Sequence, residues 1–334
     1  MRRQAGAIGA AVLLLAGLVG GCDRGSDFRR YGGSTMGTYY QVTARCPDDV
    51  SATIEDTLHQ VNGEMSTYLP DSALSRFNSA PVNEWFPVPR ELIEVVSAAE
   101  SLSRQSDGAF DVTVGPLVNL WGFGPDATDG VPSDLAVSDT LARVGHRYLA
   151  VRAEPPALRK TVELYVDLSA IAKGHGVDRV ARRLGEAGCD AMLVDIGGEV
   201  RGSGPSPMET PWRIGIEVPD PESVGAVQRV VRIDNSAVAT SGDYRNFREA
   251  DGRRFSHTID PRTGYPVQHA LASVSVVHES AMWADGYATL LNVLGPEQGL
   301  AFAREHDLAA LFVIRRDSGF EERYTQPFEA LLLD

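Results

Sequence analysis

Apolar positions along the chain recur with two different periods, and the switches between them outline its elements. From Gly37 to Arg45 the period is two, with Tyr39, Gln41 and Thr43 on one face and Tyr40, Val42 and Ala44 on the other, which predicts a strand with one face turned to a core. The period then lengthens. Val50, Ile54, Leu58, Val61 and Met65 recur at helical spacing behind Asp48-Asp49, whose carboxylates can cap the first turn. A second amphipathic helix runs from about Pro89 to Ser106, with Leu92, Val95, Val96, Ala99 and Leu102 inward and Gly108 as its stop. Proline, glycine and aspartate crowd Gly122–Pro132, which reads as a long loop. Strand, turn, helix and strand follow at Val162–Asp167, Leu168–Gly176, Val177–Ala187 and Ala191–Ile196. Short strands fill most of Trp212–Val277, helices occupy about Ser280–Val293 and Pro296–Glu305, and Ala309–Ile314 closes the chain with a strand. Strands that follow one another, rather than alternating with helices, predict a mixed α/β (α+β) fold with many antiparallel neighbours and argue against a Rossmann-type sheet.

The first residues change the picture of where this chain works. Arg2 and Arg3 precede a run of about 14 apolar or small residues, Ala7 to Gly20, which is too short to span a bilayer, and Gly21-Cys22 follows. Val19-Gly20-Gly21-Cys22 resembles a bacterial lipobox, so Cys22 is expected to be the first mature residue and to carry lipid; an ordinary secretory signal is the alternative. Both place the mature protein outside the cytosol. Asp23 after that cysteine points to the periplasmic face of the inner membrane where sorting follows the enteric pattern. A formal net charge of -14 with no Lys/Arg cluster argues against nucleic acid as a partner. With Cys22 lipidated, Cys46 and Cys189 remain, and the sequence leaves open whether they pair.

Candidate chemistry lies in the connections. Met65–Tyr68 with Asp71–Asn78 is polar and aromatic sequence at a helix end, where a ligand ring could stack on Tyr68; a plain helix C-terminus reads the same way. Gly108–Leu117 sets two glycines around a strand-like core and leads into Trp121–Pro125, so backbone can approach a ligand closely there. Asp167–Gly176 joins strand to helix with a carboxylate, a cation and glycines, a place where a phosphate could meet a helix N-terminus. Asp285 and Thr289 stand at i and i+4, so one helix face offers a carboxylate and a hydroxyl, hard oxygen donors suited to magnesium shared with phosphate. A capping acid and a solvated threonine would have the same spacing. His257, before the Asp260-Pro261-Arg262-Thr263-Gly264 turn, is a candidate proton acceptor or a structural histidine.

Together these segments resemble the ApbE family of FAD:protein FMN transferases. The resemblance runs through Met36–Thr38, Met65–Tyr68, Asp71–Asn78, Gly108–Pro125, Asp167–Asp178, Asp195–Glu199, Thr240–Asn246, Ser256–Pro266 and Ala284–Gly295, nearly all of the mature chain. It implies a fold of two lobes with largely antiparallel sheets and FAD in the cleft between them. Met36, Tyr68, Ala109, Phe110, Asp111, Asp167, Lys173, Gly176, His257 and Ile259 match positions that line the flavin nucleotide. Asp285, Thr289 and the carbonyl of Ala172 match the family's magnesium ligands. Ala288 stands where some members have a second acid, and His175 where tyrosine is common. The implied organisation is a signal peptide over 1–21, a lipidated tether over 22–33 and a transferase domain over 34–334. The implied reaction is magnesium-dependent transfer of FMN from FAD to a threonine or serine hydroxyl of an acceptor, with loss of AMP and His257 as proton acceptor. Expected acceptors are subunits of membrane redox complexes, such as the sodium-pumping NADH:quinone oxidoreductase or Rnf-type complexes. An FAD pyrophosphatase and a non-catalytic FAD-binding lipoprotein are the alternatives.

Overall fold

A computed structural model describes residues 27–333 apart from 125–127, 129, 221, 224, 243–246 and 251–252; the expected signal peptide, Cys22 and Asp243–Asn246 lie outside the described residues. An eight-stranded sheet organises the chain. Its strands, neighbour to neighbour, are Phe28–Thr35, Thr38–Arg45, Ala191–Ile196, Glu199–Ser203, Ser236–Gly242, Leu271–His278, Ala309–Arg316 and Gly319–Tyr324. Every pairing is antiparallel, as the clustering of strands predicts. The helices are α1 (Ser51–Met65), α2 (Ala73–Asn78), α3 (Arg90–Gln105), α4 (Gly115–Leu120), α5 (Asp134–Leu141), α6 (Ala172–Glu186), α7 (Ala281–Glu305) and α8 (Gln326–Glu329).

Burial explains the periods. Thr38–Arg45 buries only Tyr40, Val42 and Ala44, against α1 and α6, so its sequence alternates. Leu271–Val277 is buried at every position, because α7 covers one side of the sheet and a small sheet containing Trp212–Glu217 and Val227–Ile233 covers the other. The α1 stripe Ile54, Leu58, Val61 and Met65 faces the core as its spacing predicts. Asp49 does not cap α1 in the expected way; its carboxylate accepts from Ser51 N and Oγ at 3.2 and 2.9 Å, forming a local turn before the helix.

Several expected boundaries move, each for a physical reason. Part of the stretch read as a tether is strand: Phe28–Thr35 pairs along its full length with Thr38–Arg45. As an edge strand it exposes most side chains, so no apolar period reveals it. Val162–Asp167 is not a strand. The Asn78 amide clasps it instead, donating to Val166 O at 2.9 Å and accepting from Val166 N at 2.8 Å, while buried Lys160 donates to Asn78 O at 2.5 Å. Gly108–Leu117 forms turns and the start of α4 rather than a strand. Ala309–Ile314 is not the last element, since a hairpin strand, α8 and Leu332–Leu333 follow.

The turn expected over Leu168–Gly176 is half helix, because α6 starts at Ala172. Gly174 and Gly176 disguise that start. A Cβ on Gly174 would stand 2.2 Å from Ala281 O and 2.8 Å from the Asp285 Cβ, so the glycine is demanded by α7 crossing there. Asp178, one turn further along α6, caps α7: its carboxylate accepts from Ser280 Oγ (2.6 Å), Ala281 N (3.0 Å) and Met282 N (3.0 Å), with Arg201 at 2.7 Å as counter-charge. Farther down, α7 breaks at Gly295 (φ 74°) before Pro296, close to the expected boundary. Pro296 has no N–H for the Asn292 carbonyl, and His269 Nε2 donates to that oxygen instead at 2.7 Å.

The two cysteines left open by the sequence form a disulfide, Cys46–Cys189, tying the end of Thr38–Arg45 to the segment after α6. His175 is buried on α6, with no partner for Nε2 among the described residues. Burial, with the nearby Arg179, holds it neutral, down to about 4 from 6.5. The unfolded chain therefore binds this proton more readily than the native one, so stability is full above about pH 6.5 and declines as the pH falls toward 4. Between about pH 7 and about pH 5 the wild type is expected to lose about 2 kcal/mol that His175→Leu retains. Denaturant unfolding of both proteins at the two pH values measures this, and equal losses would clear His175 of the effect.

Candidate active site

A cleft of about 480 Å³ opens where the 109–124 and 257–261 segments face the N-terminal part of α6, the first half of α7 and the strand ends at Gly197–Glu199 and Thr240–Gly242. It gathers ten of the residues singled out from sequence: Tyr68, Ala109, Phe110, Asp111, Asp167, Lys173, His257, Ile259, Asp285 and Thr289. Met36 and Gly176 are not among the lining residues. They pack against each other behind α6, where a Cβ on Gly176 would lie 3.5 Å from Met36 Sδ. Ala172 is buried at the first position of α6, also outside the lining.

The cleft is chemically two-ended. Phe110, Val114, Val118, Phe123 and Ile259 make one wall apolar, and Tyr68, 68% exposed, stands at its lip. His257 meets Phe123 edge-on at 6.4 Å between ring centres. Its position is fixed by neighbours: Thr258 Oγ1 accepts from Asn292 Nδ2 at 3.1 Å, and Thr258 N donates to Ser256 Oγ at 3.1 Å. The Asp260–Gly264 turn is closed by Gly264 N donating to Asp260 O at 2.8 Å and pinned by Trp121 Nε1 donating to Gly264 O at 2.8 Å. Asp111, one of the expected lining acids, is hydrogen-bonded internally. Its oxygens accept from Thr113 N, Thr113 Oγ1 and His146 N at 2.7–2.8 Å, which holds the loop's shape beside the cleft. Asp167 likewise accepts from Ser169 N and Oγ.

The other end is polar. Lys173 Nζ sits 3.0 Å from Glu199 Oε1 and 3.7 Å from Asp285 Oδ1, and Gly174 N donates to Asp285 Oδ2 at 3.0 Å. The α6 N-terminus read as a phosphate seat thus already has one N–H engaged by a carboxylate. Burial alone would lower Lys173, but Asp285 and Glu199 outweigh it and hold the ammonium charged, above its usual range. Burial raises Glu199 to about 7; Asp285 adds repulsion and Lys173 opposes both. Glu199, Ser169, Thr240, Ser241 and Thr258 line the cleft without having been singled out as site residues. An acid opening a strand that continues Val200-Arg201-Gly202 was the available signal for Glu199.

Among the described residues no three His, Cys, Asp or Glu side chains cluster as a metal site. Of the expected magnesium donors the cleft holds two hard oxygens, the buried Asp285 carboxylate and the Thr289 hydroxyl one turn on, a pair that needs further oxygens, while Ala172 stays outside its lining.

Comparison with known proteins places this cleft in a family context. The model of the ApbE family matches residues 36–312. A protein of Vibrio cholerae named FAD:protein FMN transferase is 43% identical over 331 residues, covering 97% of each chain. One of the same name from Haemophilus influenzae is 39% identical over 335 residues, again covering 97% of each. The solved flavin transferase ApbE from Vibrio cholerae superposes with a TM-score of 0.84 at 42% identity, covering 91% of this chain and 99% of that one.

Lys173 between two carboxylates is the electrostatic centre of the cleft. Its replacement, Lys173→Met, leaves two buried acids without their counter-charge; with the Lys173 side chain itself 28% exposed the expected loss is about 1–3 kcal/mol, below that of a wholly buried pair. Without the ammonium that holds it down, the variant's Glu199 carboxyl rises above about 7, so the loss is expected to be largest at high pH and to shrink as the pH falls toward about 7, where the variant has taken up a proton before the wild type does. Unfolding at about pH 8 and about pH 6 tests this; a loss independent of pH would mean that repulsion between the acids is not its source.

Proposed function

This chain belongs to the ApbE family, and from that premise we propose that it transfers FMN from FAD to a threonine or serine hydroxyl of an acceptor protein, releasing AMP with the help of magnesium. The observation that carries the reading is the two-ended cleft. A flat apolar wall suits an isoalloxazine ring, and the Lys173, Asp285 and Thr289 end suits a pyrophosphate with its cation. Asp285, Thr289 and the Ala172 carbonyl would hold magnesium, which offsets the charge that builds on the leaving phosphate.

The chain's own residues then have separate tasks. Tyr68, Phe110 and Phe123 hold the flavin and keep water from it. Lys173 faces the phosphates. The acceptor hydroxyl oxygen forms a bond to the FMN-side phosphorus as the bond from that phosphorus to the AMP oxygen breaks. His257 takes the hydroxyl proton, and AMP departs with the leaving oxygen's charge. What supports that role is that His257 lines the cleft, edge-on to Phe123 of the apolar wall. Aligning hydroxyl, phosphorus and leaving oxygen is the larger part of the catalysis.

Location follows the same reading. Lipid on Cys22 would hold the protein on the periplasmic face of the inner membrane, beside acceptor subunits of sodium-pumping NADH:quinone oxidoreductase or Rnf-type complexes, where a shared surface raises the effective concentration. The Cys46–Cys189 disulfide supports an oxidising compartment. Among the described residues no helix is long and apolar enough to cross a membrane.

Incubation with FAD, magnesium and a candidate acceptor domain, read by in-gel flavin fluorescence and AMP release, tests the activity. Transfer is expected to vanish in Asp285→Asn and to slow by about a hundredfold to ten-thousandfold in His257→Ala. AMP without protein-bound flavin would replace the transferase reading with a hydrolase. Fractionation of cells expressing wild-type and Cys22→Ser protein tests the anchor: membrane-bound wild type and a released variant are expected, and soluble wild type would refute lipidation.

A further inference from the structure

The strand that begins at Glu199 leaves a tight turn, Gly197-Gly198, with φ of 63° and 101°, and Glu199 pairs back across it with Ile196. That geometry delivers the Glu199 carboxylate into the polar end of the cleft while leaving the residue only 4% exposed. Its two oxygens are treated differently. Oε1 takes the Lys173 ammonium at 3.0 Å; Oε2 is buried and has no hydrogen-bond partner among the described residues. A carboxylate oxygen buried without a donor carries a desolvation penalty that neighbouring groups do not offset here. Asp285, which shares Lys173 with it, is itself an acceptor, its Oδ2 taking Gly174 N, and offers Oε2 no hydrogen.

The geometry points to Glu199 as a further binding residue, whose Oε2 accepts a hydrogen bond from a sugar hydroxyl of the nucleotide next to its pyrophosphate. This rests on the cleft being the FAD site. The argument for a hydroxyl is one of chemistry. In its ionised form Glu199 only accepts, and so do phosphate oxygens, so Oε2 then needs a donor that the pyrophosphate lacks. Glu199 shares the Lys173 ammonium with Asp285 at the polar end of the cleft. The donors adjoining a pyrophosphate in FAD are the ribityl hydroxyls on one side and the ribose hydroxyls on the other. Glu199 thereby does two things at once: one oxygen orients Lys173 toward the phosphates, the other reads the sugar beside them.

Equilibrium binding to the full-length protein in the presence of magnesium separates these roles, with FAD, FMN, ADP and inorganic pyrophosphate as probes. Glu199→Ala is expected to weaken FAD by about 10- to 100-fold, the range for a hydrogen bond to a charged group. The loss should reappear in FMN if the hydroxyl is ribityl, or in ADP if it belongs to the ribose. Pyrophosphate has no hydroxyl and should bind unchanged or tighter, because a negative charge beside it has gone. Should the alanine variant fail to fold, Glu199→Gln keeps the volume, removes the same charge and is expected to give the same pattern with a smaller FAD loss. Unchanged or tighter FAD binding would overturn the assignment, and so would pyrophosphate weakened as much as FAD, which would mean that Glu199 acts only through Lys173. Wild-type protein that binds none of the flavin probes would instead overturn the function proposed for the cleft.

Discussion

The close crossing of α6 and α7 is the constraint on which the rest of the cleft depends. Two helices normally pack with their axes 8–10 Å apart, held off by side chains. Here Gly174 removes the spacer, and the backbone of one helix meets the carbonyl of Ala281 on the other. Asp178 then supplies the hydrogen-bond acceptors that the first turn of α7 lacks, so the two helices are joined end to side by both shape and charge. Lys173 and Asp285 stand on opposite sides of that crossing. Their separation of 3.7 Å is a property of the helix contact before it is a property of either side chain.

From that crossing the electrostatics of the cleft follow. One ammonium faces two acids in a place that water reaches poorly, and the three charges cannot be independent. Lys173 keeps its proton, Asp285 is further tied by a backbone N–H, and Glu199 is the member left to adjust. The apolar wall opposite raises the stakes, since a low dielectric strengthens each of these interactions. A pyrophosphate and its cation brought to such a place would enter a region already carrying fixed charge of both signs, so little rearrangement is needed to receive them.

Much of this was legible in the chain itself wherever burial is one-sided. The Tyr40, Val42 and Ala44 alternation and the α1 stripe appear in the structure as the sequence has them, because each element shows the core a single face. The α7 break at Gly295-Pro296 was equally plain, a local steric rule that tertiary contacts do not override. What stayed hidden depends on partners distant in sequence. The start of α6 reads as a turn until Ala281 is seen to require Gly174. Val162–Asp167 has the composition of a strand, yet its hydrogen bonds go to the Asn78 amide. For the site, the resemblance named ten of the residues that line the cleft; Asp111 also holds its own loop, and Glu199, inside the matched Asp195–Glu199 segment, was given no role of its own.

Asp285, Thr289 and Asn292 lie along one face of the unbroken first half of α7, and Asn292 grips the Thr258 hydroxyl beside His257. One rigid rod therefore carries both the oxygen donors for a cation and the anchor of the histidine turn. Thermal motion that displaces the rod displaces them together, and the spacing between them is conserved. Tyr68, by contrast, stands exposed at the lip and belongs to the segment after α1. The donors and the histidine turn thus share one bearing, and Tyr68 hangs from another.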